Sequence, residues 1–515
     1  MVPRESSGKA KDKIKDLSEL AAVLATIQSE EKRVVQCHGV FDLLHIGHIR
    51  HFEEAKKLGD VLVVTLTQDK DVNKGPHRPA FSEDLRAEAI AALDCVDYVA
   101  INKWPMAVEA IKLLRPDFYV KGSDYRQAKD DRTGGIGLEE EAVKAIGGEL
   151  VFTDDIVFSS SNLINRHIPL FPKEVMDYLA YISGRYSAPD VIKYLDSAKD
   201  LKVLVVGEAI IDEYTYCEAI GKSSKEPMLA VKHLSMEKFA GGILAVGNHV
   251  ANFCENVGML TFIGSENSQE DFINTKVNPR IKKAFLRRSN SPTIVKRRFV
   301  DSYFFTKLLE VYEMNDGPLA EGDNRQFCAA LDDMLPQYDL VIVVDFGHGM
   351  FSREAIDILC RKARFLALNV QANAGNLGYN TITKYSRADY ICIAENEARL
   401  EARDRRGDLR EIMVSILRQL GCERVVVTHG KQGCLGFSEK EGFFEAPALA
   451  GQVVDRVGAG DTLLSLSALC VAQGAPMEVV GFIGNAAGAQ AVGTIGNRTP
   501  VEPVSLYKQI EALLK

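Results

Sequence analysis

Two histidines stand three residues apart in a segment that joins an apolar run to a helical pattern. The apolar run covers residues 34–37, the segment 39–48 follows it, and Phe52, Ala55 and Leu58 then recur at helical spacing. This order predicts a buried strand, a turn, and a helix whose first turn carries both histidines. The unpaired N–H groups and the positive dipole end of such a helix favour a bound phosphate.

The chemistry of the two histidines fits a nucleotide phosphate. His45 and His48 would share one face of the helix, and their imidazole donors could stabilise the charge that develops on an α-phosphate. Gly47 lets the backbone approach the ligand closely. The alternative is a histidine pair that is packed or solvated without a role in binding. The order of strand, glycines, histidines and helix favours the phosphate site.

The rest of the chain is organised as two α/β regions. Short apolar runs alternate with helical patterns between residues 33 and 152, which predicts a parallel sheet with helices on both faces. A second α/β region begins near residue 202, and its segment 296–312 has the alternating, aromatic and β-branched character of a small antiparallel lid. The predicted parts are a polar tail with one helix over 1–30, a first domain over 31–168, a helical linker over 169–200, and a second domain over 201–515.

A second phosphate site is predicted where the segment 455–462 precedes a helix. Gly458 and Gly460 allow consecutive backbone N–H groups to converge on an anion. Asp461 falls in the first turn of that helix, where it could accept the proton of a hydroxyl group that attacks a γ-phosphate. The alternative is a glycine turn with an aspartate cap.

The first region resembles the cytidylyltransferase-like nucleotidyltransferases over residues 31–168. The resemblance is carried by His45-Ile-Gly-His48 after Gly39-Val-Phe-Asp42, and by the later segments 78–79, 121–125 and 159–162 in family order. It implies that His45, His48 and Lys74 act on the triphosphate. It also implies that the nucleotide and its phosphates contact Gly39, Val40, Phe41, Asp42, Lys121, Asp124, Tyr125, Ser160 and Ser161.

Class I aminoacyl-tRNA synthetases share the four-letter histidine motif, so they are a rival interpretation. Those enzymes also carry a Lys-Met-Ser-Lys-Ser loop, and nothing like it is present in this sequence. The formal net charge of −9 is also a poor match to a polyanion of the size of tRNA. The sequence therefore argues against a nucleic-acid partner.

The second region resembles the ribokinase-like (PfkB) sugar kinases over about residues 200–510. The resemblance rests on Gly241-Gly242, on the segments 428–433 and 485–488, and on Gly458-Ala-Gly-Asp461. It implies that Asp461 is the catalytic base and that the N–H groups of Gly458, Ala459 and Gly460 form an anion hole. It further implies a nucleotide floor at Thr428 and Gly430 and a sugar site at Asp212, Gly241, Gly242 and Asn248.

Four positions depart from the family pattern. Ala245 stands where the family has an asparagine, and Asn369-Val-Gln stands where relatives of the heptose kinase have Asp-Pro-Lys. Arg456 replaces a threonine ahead of the glycines, and the magnesium-supporting Asn-x-x-Glu motif reads Glu395-Asn-Glu-Ala398. The metal ligands are therefore unassigned by the sequence.

Together the two regions resemble the bifunctional heptose kinase/nucleotidyltransferase type in reversed domain order. This implies sugar activation: ATP phosphorylates a sugar or sugar phosphate, and an NTP transfers AMP or CMP to a sugar phosphate with release of pyrophosphate. Mg²⁺ and ATP or CTP are the expected cofactor and substrates, and a homodimer is expected from resemblance alone. In the alternative, only the nucleotidyltransferase is active, and the kinase-like half is a ligand-binding regulatory or scaffolding module.

Composition agrees with a globular enzyme. The chain has 515 residues, of which 46% are hydrophobic and 26% charged, enough to build more than one core. Ten cysteines are scattered without a metal or disulfide pattern, so a cytoplasmic location is expected. The sequence shows neither an apolar secretory segment at the N-terminus nor a run long enough to span a membrane.

Overall fold

The computed structural model describes residues 7–72, 78–122, 135–153 and 171–515. The chain forms two compact units. The N-terminal unit contains residues up to Lys173 together with residues 507–513 and Lys515, and the C-terminal unit contains residues 174–506 and Leu514.

The N-terminal unit is built on a five-stranded parallel sheet, as the sequence predicts. Its strands have the spatial order β3-β2-β1-β4-β5, which is a Rossmann-like arrangement. The strands are β1 (Val34–Gly39), β2 (Val61–Leu66), β3 (Tyr98–Ile101), β4 (Phe118–Lys121) and β5 (Glu149–Phe152). The helices are α1 (Ser7–Asp12), α2 (Leu17–Ser29), α3 (Ile46–Lys56), α4 (Glu83–Ala91), α5 (Val108–Leu114) and α6 (Gly135–Ala145).

Alternation of side chains along β1 supplies the two faces of this sheet. Val34 packs in one apolar cluster with Leu20 and Leu24 of α2, whereas Val35 packs on the other face with Phe52 of α3. β1 lies between β2 and β4, so the direction in which successive strands are added to the sheet reverses at β1. Parallel sheets bind ligands at such a reversal, and α3 begins there.

The first thirty residues differ in part from the prediction. The helix over 17–29 is confirmed as α2, and α1 is an additional short helix that the polar sequence did not indicate. Leu17, Leu20 and Leu24 are fully buried, so α2 is part of the core of the N-terminal unit.

The C-terminal unit contains a nine-stranded sheet of order β10-β9-β6-β13-β14-β15-β16-β17-β18. The seven strands from β10 to β16 are parallel, and β17 and β18 close the sheet with antiparallel pairs. These strands are β6 (Lys202–Gly207), β9 (Asn256–Glu266), β10 (Lys282–Pro292), β13 (Leu340–Asp345), β14 (Leu366–Val370), β15 (Tyr390–Ala394), β16 (Arg424–Thr428), β17 (Cys434–Ser438) and β18 (Gly442–Ala446).

The helices of the later part of the chain include three that are apolar almost all round. In α9, α15 and α16 nearly every turn is buried, as expected for helices inside a large α/β core. The helices are α7 (Lys173–Ser183), α8 (Ala188–Asp196), α9 (Ile243–Phe253), α10 (Glu270–Lys276), α11 (Glu321–Met334), α12 (Arg353–Lys362), α13 (Glu395–Ala402), α14 (Leu409–Leu420), α15 (Ala459–Ala472), α16 (Met477–Ala491) and α17 (Pro503–Leu513). Across the described ranges, none of the helices has the length and apolar composition needed to cross a membrane.

The lid is larger than the sequence predicts. The predicted antiparallel pair is present as β11 (Ile294–Asp301) and β12 (Thr306–Glu313). Two long strands, β7 (Ala209–Lys222) and β8 (Leu229–Gly242), complete a four-stranded sheet of order β12-β11-β7-β8, in which β11 runs parallel to β7. The sequence did not reveal β7 and β8 because their outer halves are polar and exposed and contain no sustained apolar run.

Two glycines provide a test of the packing in the C-terminal unit. A Cβ on Gly207 would lie 2.3 Å from the carbonyl oxygen of Val344 on the neighbouring strand, whereas a Cβ on Gly322 in α11 would meet no atom within 4 Å. We expect Gly207→Ala to lower the melting temperature by roughly 2–12 °C, since such overpacking costs about 1–3 kcal/mol and each kcal/mol shifts the melting temperature by about 2–4 °C in a large domain. Gly322→Ala, the matched control, should leave it unchanged or slightly raised. Equal melting temperatures by calorimetry would contradict this account of the β6–β13 contact.

Candidate active sites

His45 caps the N-terminus of α3 in the N-terminal unit. Its backbone is extended, and its Nδ1 accepts a hydrogen bond of 3.1 Å from the N–H of Gly47. Because Nδ1 is the acceptor, the neutral ring carries its proton on Nε2, which is then a donor. Burial lowers the pKa of His45, so the ring is neutral near pH 7.

His48 lies beside His45 at the same helix end. The two rings are stacked, with centroids 3.9 Å apart and an interplanar angle of 24°. The edge of Phe41 meets the His48 ring at 5.1 Å between centroids, and Phe41 itself packs on Phe52. Phe41 has a φ of +47°, an uncommon conformation for a bulky residue. The predicted histidine pair is therefore brought together and is supported by an aromatic side chain.

Asp42 has structural partners. Its buried carboxylate pairs with the Arg78 guanidinium at 2.9 Å and accepts hydrogen bonds from the backbone N–H groups of Ala80 and Phe81. These contacts hold the segment after residue 77 against the turn between β1 and α3. Asp42 thus positions the loop, and its predicted contact with a nucleotide remains a prediction.

Arg86 is a further organising residue of this region. From α4 its guanidinium donates to the carbonyl groups of Val40, Thr67 and Phe81 and pairs with Asp69 at 2.6 Å. The side chain is almost fully buried, and it joins three loops at the carboxyl end of the sheet. Moving any of these loops would leave a buried donor of the guanidinium without its acceptor, which costs free energy. The guanidinium therefore fixes the geometry of the loops.

Two side chains end the neighbouring strands at the same edge. Lys121 closes β4 and pairs with Glu139 at 2.9 Å, both side chains being largely buried. Thr153 follows β5, and its Oγ1 lies 2.9 Å from Nδ1 of His51 in α3. Gly39 ends β1 against the Phe41 ring. The predicted site residues Lys74, Asp124, Tyr125, Ser160 and Ser161 lie outside the described residues.

Asp461 occupies the first turn of α15 in the C-terminal unit. Gly458 caps this helix with a φ of +85°, and a Cβ there would lie 1.9 Å from Oδ1 of Asn497. The backbone N–H groups of Gly460 and Asp461 have no acceptor among the residues that the structure describes. The sequence predicts an anion hole formed by the N–H groups of Gly458, Ala459 and Gly460, whereas the Ala459 N–H donates to the Arg456 carbonyl at 3.5 Å. The N–H groups of Gly460 and Asp461 are therefore the candidate anion donors of this turn.

The electrostatic surroundings of Asp461 favour its protonated form. Burial raises the pKa of Asp461 to about 7, and the negative charges of Asp212 and Glu397 act in the same direction. A hydrogen bond of 2.9 Å from Nε2 of Gln371 to Oδ1, and the positive charge of Lys296, act against it. A carboxyl group with a pKa near neutrality is suited to proton transfer at neutral pH.

The inner face of the lid brings Asp212 into this site. Asp212 on β7 is paired in register with Lys296 on β11, and its carboxylate forms a salt bridge with Arg298. Lys296 is 7% exposed, and its Nζ lies 5.3 Å from the ring centroids of Tyr312 and Phe346, with no acceptor within the described part of the chain. Lys296 and Arg298 were missed by the sequence reasoning, although the alternation of the lid strand could have indicated them.

The other predicted sugar contacts divide into two groups. A Cβ on Gly241 would lie 2.1 Å from Oδ2 of Asp212, so this glycine allows the carboxylate to approach the chain, and Gly242 turns into α9 with a φ of +55°. Asn248 is different. Its side-chain Nδ2 donates a hydrogen bond to the Lys276 carbonyl, and its Oδ1 accepts one from the backbone N–H of Asn278. These contacts hold a loop next to α10.

The predicted nucleotide floor lies at the end of β16. Thr428 ends that strand, and Gly430 follows with a φ of +59°. Between them, Nε2 of His429 contacts a carboxylate oxygen of Glu395 at the start of α13. These contacts link the two loops that follow β15 and β16.

The departures from the family pattern have structural consequences. Both carboxylate oxygens of Glu397 accept backbone N–H groups, those of Ala372 and Ala394, and burial raises the pKa of Glu397 to about 7. Asn369 donates to the Cys392 carbonyl. No group of three metal-ligating side chains occurs in residues 7–72, 78–122, 135–153 and 171–515.

Comparison with known proteins identifies both units. The profile described as pfkB family carbohydrate kinase matches residues 200–503, which is more than half of the chain. The chain belongs to the pfkB carbohydrate kinase family. The cytidylyltransferase-like profile matches residues 37–166, so this pfkB kinase carries a nucleotidyltransferase domain at its N-terminal side. The two matches indicate a transferase with phosphotransferase and nucleotidyltransferase domains.

Curated relatives of this pfkB protein match over part of their length. The bifunctional protein HldE of Geobacter sulfurreducens is 37% identical over 172 residues, covering 32% of this chain and 33% of the relative. HldE of Citrifermentans bemidjiense is 43% identical over 140 residues, or 27% of each chain. The chain thus spans about a third or less of the length of these relatives, and its domain order is reversed relative to HldE.

Solved structures support the fold of the C-terminal unit. Phosphofructokinase-2 from Escherichia coli in complex with potassium aligns with a TM-score of 0.51 and 16% identity, over 61% of this chain and all of that chain. The same enzyme in complex with substrates and products aligns with a TM-score of 0.51 and 14% identity over the same shares. At this identity the likeness establishes the ribokinase-like fold.

The raised pKa of Asp461 predicts a pH-dependent stability. Since the folded-state pKa is about 7 against an ordinary value of 3.8, the stability that comes from the neutral carboxyl is complete below about pH 4 and is lost as the pH rises to about 7. Asp461→Asn should therefore raise the melting temperature at pH 8 by at least roughly 2 °C more than at pH 5.

Calorimetry at the two pH values checks this expectation. Asp333→Asn, which changes an exposed carboxylate on α11, is the matched control. An Asp461→Asn effect that is the same at both pH values would contradict the perturbed titration of Asp461.

Proposed function

We propose that the protein activates a sugar in two steps, with ADP-heptose-type nucleotide sugar synthesis as the leading assignment. The C-terminal unit phosphorylates a hydroxyl group of a sugar or sugar phosphate with ATP. The N-terminal unit transfers AMP or CMP from an NTP to a sugar phosphate and releases pyrophosphate. The observation that carries this proposal is that each unit places an acid–base group in the first turn, or at the cap, of a helix at the carboxyl edge of a parallel sheet.

In the kinase step, Asp461 is the base. The substrate oxygen attacks the γ-phosphorus, its proton passes to the Asp461 carboxylate, and ADP leaves with the electrons of the broken P–O bond. The N–H groups of Gly460 and Asp461 would stabilise the phosphate charge. Lys296, a buried ammonium without an acceptor in the described chain, and the Asp212 carboxylate would orient the sugar.

In the nucleotidyl step, the histidine pair stabilises charge without a covalent intermediate. A phosphate oxygen of the sugar phosphate attacks the α-phosphorus of the NTP, and pyrophosphate leaves. The Nε2–H of His45 is a donor because Nδ1 is engaged by Gly47, and the stacked His48 ring lies on the same side. Such fixed donors are more effective in the transition state than water, which must reorient.

Mg²⁺ would be held mainly by the nucleotide in both steps. The described residues offer no cage of three ligands, and Mg²⁺ commonly binds through one or two carboxylates and substrate phosphates. When bound, it would neutralise part of the phosphate charge.

The absence of disulfides among all ten cysteines fits a reducing compartment, and we propose a cytoplasmic location.

A second candidate function follows from the altered kinase motifs. Both oxygens of Glu397 are occupied by backbone N–H groups, and a neutral Gln371 stands where the heptose-kinase pattern has lysine. In this case the kinase-like unit binds a ligand and regulates the nucleotidyltransferase without catalysis.

Two variants separate these possibilities. His48→Ala should reduce pyrophosphate release by a factor on the order of a hundred or more, because a charge-stabilising donor is lost. It should leave phosphoryl transfer intact. Asp461→Asn should abolish phosphoryl transfer and leave pyrophosphate release intact. Both activities are measured for the full chain with ATP, CTP, GTP and UTP across a panel of sugars and sugar phosphates.

Each outcome of this assay decides one step. Unchanged pyrophosphate release in His48→Ala overturns the transferase assignment. A wild-type chain that consumes no ATP with any sugar, yet releases pyrophosphate, favours the regulatory alternative. Loss of both activities in either variant would mean that the two units do not act through separate sites.

We further propose that the outer face of the lid forms a homodimer interface. Met236 on β8 is paired with Thr215, Thr215 with Phe299, and Phe299 with Leu309, so these four side chains form one row across the sheet. Met236 is 52% and Leu309 59% exposed. Thr215 is buried, so the exposed apolar side chains stand at the two ends of the row. Exposed apolar side chains on one face are typical of a protein interface.

The oligomeric state tests the dimer. The double variant Met236→Asp/Leu309→Asp should shift the mass measured by light scattering from dimer to monomer, since carboxylates would be buried without partners. Leu377→Asp changes an equally exposed leucine outside the lid and should leave the mass unchanged. A wild-type monomer at all concentrations excludes the interface.

A further inference from the structure

Gln371 has a fixed place between β14 and the start of α15. It follows β14, its backbone N–H donates to the Asp345 carbonyl at 2.8 Å, and its own carbonyl accepts from Nδ2 of Asn380 at 3.0 Å. The side chain then reaches Asp461, with Nε2 2.9 Å from Oδ1. Because the backbone N–H and the backbone carbonyl of Gln371 are both hydrogen-bonded, the residue is held in place and its side-chain amide stays close to the Asp461 carboxylate.

Gln371 is also the one side chain in the described chain that donates a hydrogen bond to the Asp461 carboxylate. The charged and titratable groups that face Asp461 come from four other elements: Asp212 from β7, Lys296 from β11, Cys392 from β15 and Glu397 from α13. These groups act on Asp461 through long-range electrostatic interactions. Gln371 alone orients the carboxylate, because it makes a directional hydrogen bond. Oδ1 is therefore occupied, and Oδ2 has no hydrogen-bond partner within the described ranges.

We propose that Gln371 is a positioning residue for phosphoryl transfer, whose amide holds Oδ1 of Asp461 and leaves Oδ2 to accept the proton of the substrate hydroxyl. This inference rests on the proposed kinase function. The substrate oxygen forms its bond to the γ-phosphorus, the hydroxyl proton moves to Oδ2, and ADP leaves. The side-chain amide of Gln371 acts through Asp461 and not on the substrate.

The amide at this position lowers the pKa of Asp461, against the larger effect of burial. An amide stabilises the ionised carboxylate by one hydrogen bond and no charge, whereas an ammonium at the same place would stabilise it much more strongly. The residue at position 371 thus contributes to the fraction of Asp461 that is ionised, and so able to accept a proton, at neutral pH. The effect is local because Asp345 and Asn380 fix the backbone of Gln371 independently of its side chain.

Two substitutions at this position should move the kinase pH profile in opposite directions. Gln371→Met keeps the size and removes the donor, so the midpoint of the acidic limb of kcat/KM should rise by about half a unit, with kcat lowered roughly tenfold and KM nearly unchanged. Gln371→Lys adds a positive charge and should lower the midpoint by about one unit. Gln419→Met, an exposed glutamine on α14, is the matched control and should leave the profile unchanged.

A purely structural role for Gln371 would not produce opposite shifts. If both variants lose activity while the midpoint stays at its wild-type value, the inference is overturned. Melting temperatures of all variants establish that they are folded. A Gln371→Met enzyme with wild-type kcat and an unchanged profile overturns it as well.

A second measurement keeps this inference apart from the kinase proposal. In protein labelled with ¹³C at aspartate carboxyl groups, the resonance that disappears in Asp461→Asn belongs to Asp461. Its titration should shift upward in Gln371→Met and downward in Gln371→Lys. If the wild type phosphorylates no sugar, the kinase proposal fails, and this titration still decides whether Gln371 controls the carboxyl group. Identical titrations in the three proteins overturn the inference.

Discussion

The phosphoryl transfer proposed for the C-terminal unit depends on a carboxyl group placed inside an apolar helix layer. α15 is buried along almost its whole length, so Asp461 lies where an ionised carboxylate is poorly solvated. The helix dipole and the N–H groups of the first turn favour the charged form, while burial and the neighbouring Asp212 and Glu397 favour the neutral form. The balance leaves the group near its titration point at neutral pH, which is the condition that proton transfer requires.

The lid also influences the pKa of Asp461, because side chains alternate along its strands and charged ones lie on its inner face. Lys296 lies on the inner face because it is paired in register with Asp212, and Arg298 lies there because it is two residues further along the same strand. The opposite face carries the row from Met236 to Leu309. The inner face is also tied to the loop before α15, since Asp455 accepts hydrogen bonds from Tyr214 on β7 and Lys307 on β12. The position of the lid and that of the glycine turn are thus coupled by buried polar contacts.

The sequence predicted those features that depend on local pattern. The strand, turn and helix around His45 and His48, and the glycine turn before Asp461, follow from spacing that a few neighbouring residues determine. The partners of Arg86 and Gln371 could not be found in this way, because they are distant in sequence. Arg86 reaches a carbonyl 46 residues away as well as one only 5 residues away, and Gln371 reaches a carboxylate 90 residues away. The strands β7 and β8 were missed for a related reason: their stability comes from pairing with each other, and their sequence carries little hydrophobic alternation at the exposed ends.

Both units place a titratable group at a proposed phosphate site in a similar way. Burial lowers the pKa of His45 and raises that of Asp461, so each group is shifted towards its neutral form. A directional hydrogen bond engages one atom of each group: the N–H of Gly47 engages Nδ1 of His45, and the amide of Gln371 engages Oδ1 of Asp461. In the two proposed steps the other atom of each group would meet the substrate, Nε2–H as a donor in one unit and Oδ2 as an acceptor in the other. A donor suits a step in which negative charge develops, and an acceptor suits a step in which a proton leaves. The two orienting contacts therefore agree with the nucleotidyl transfer proposed for the N-terminal unit and the phosphoryl transfer proposed for the C-terminal unit.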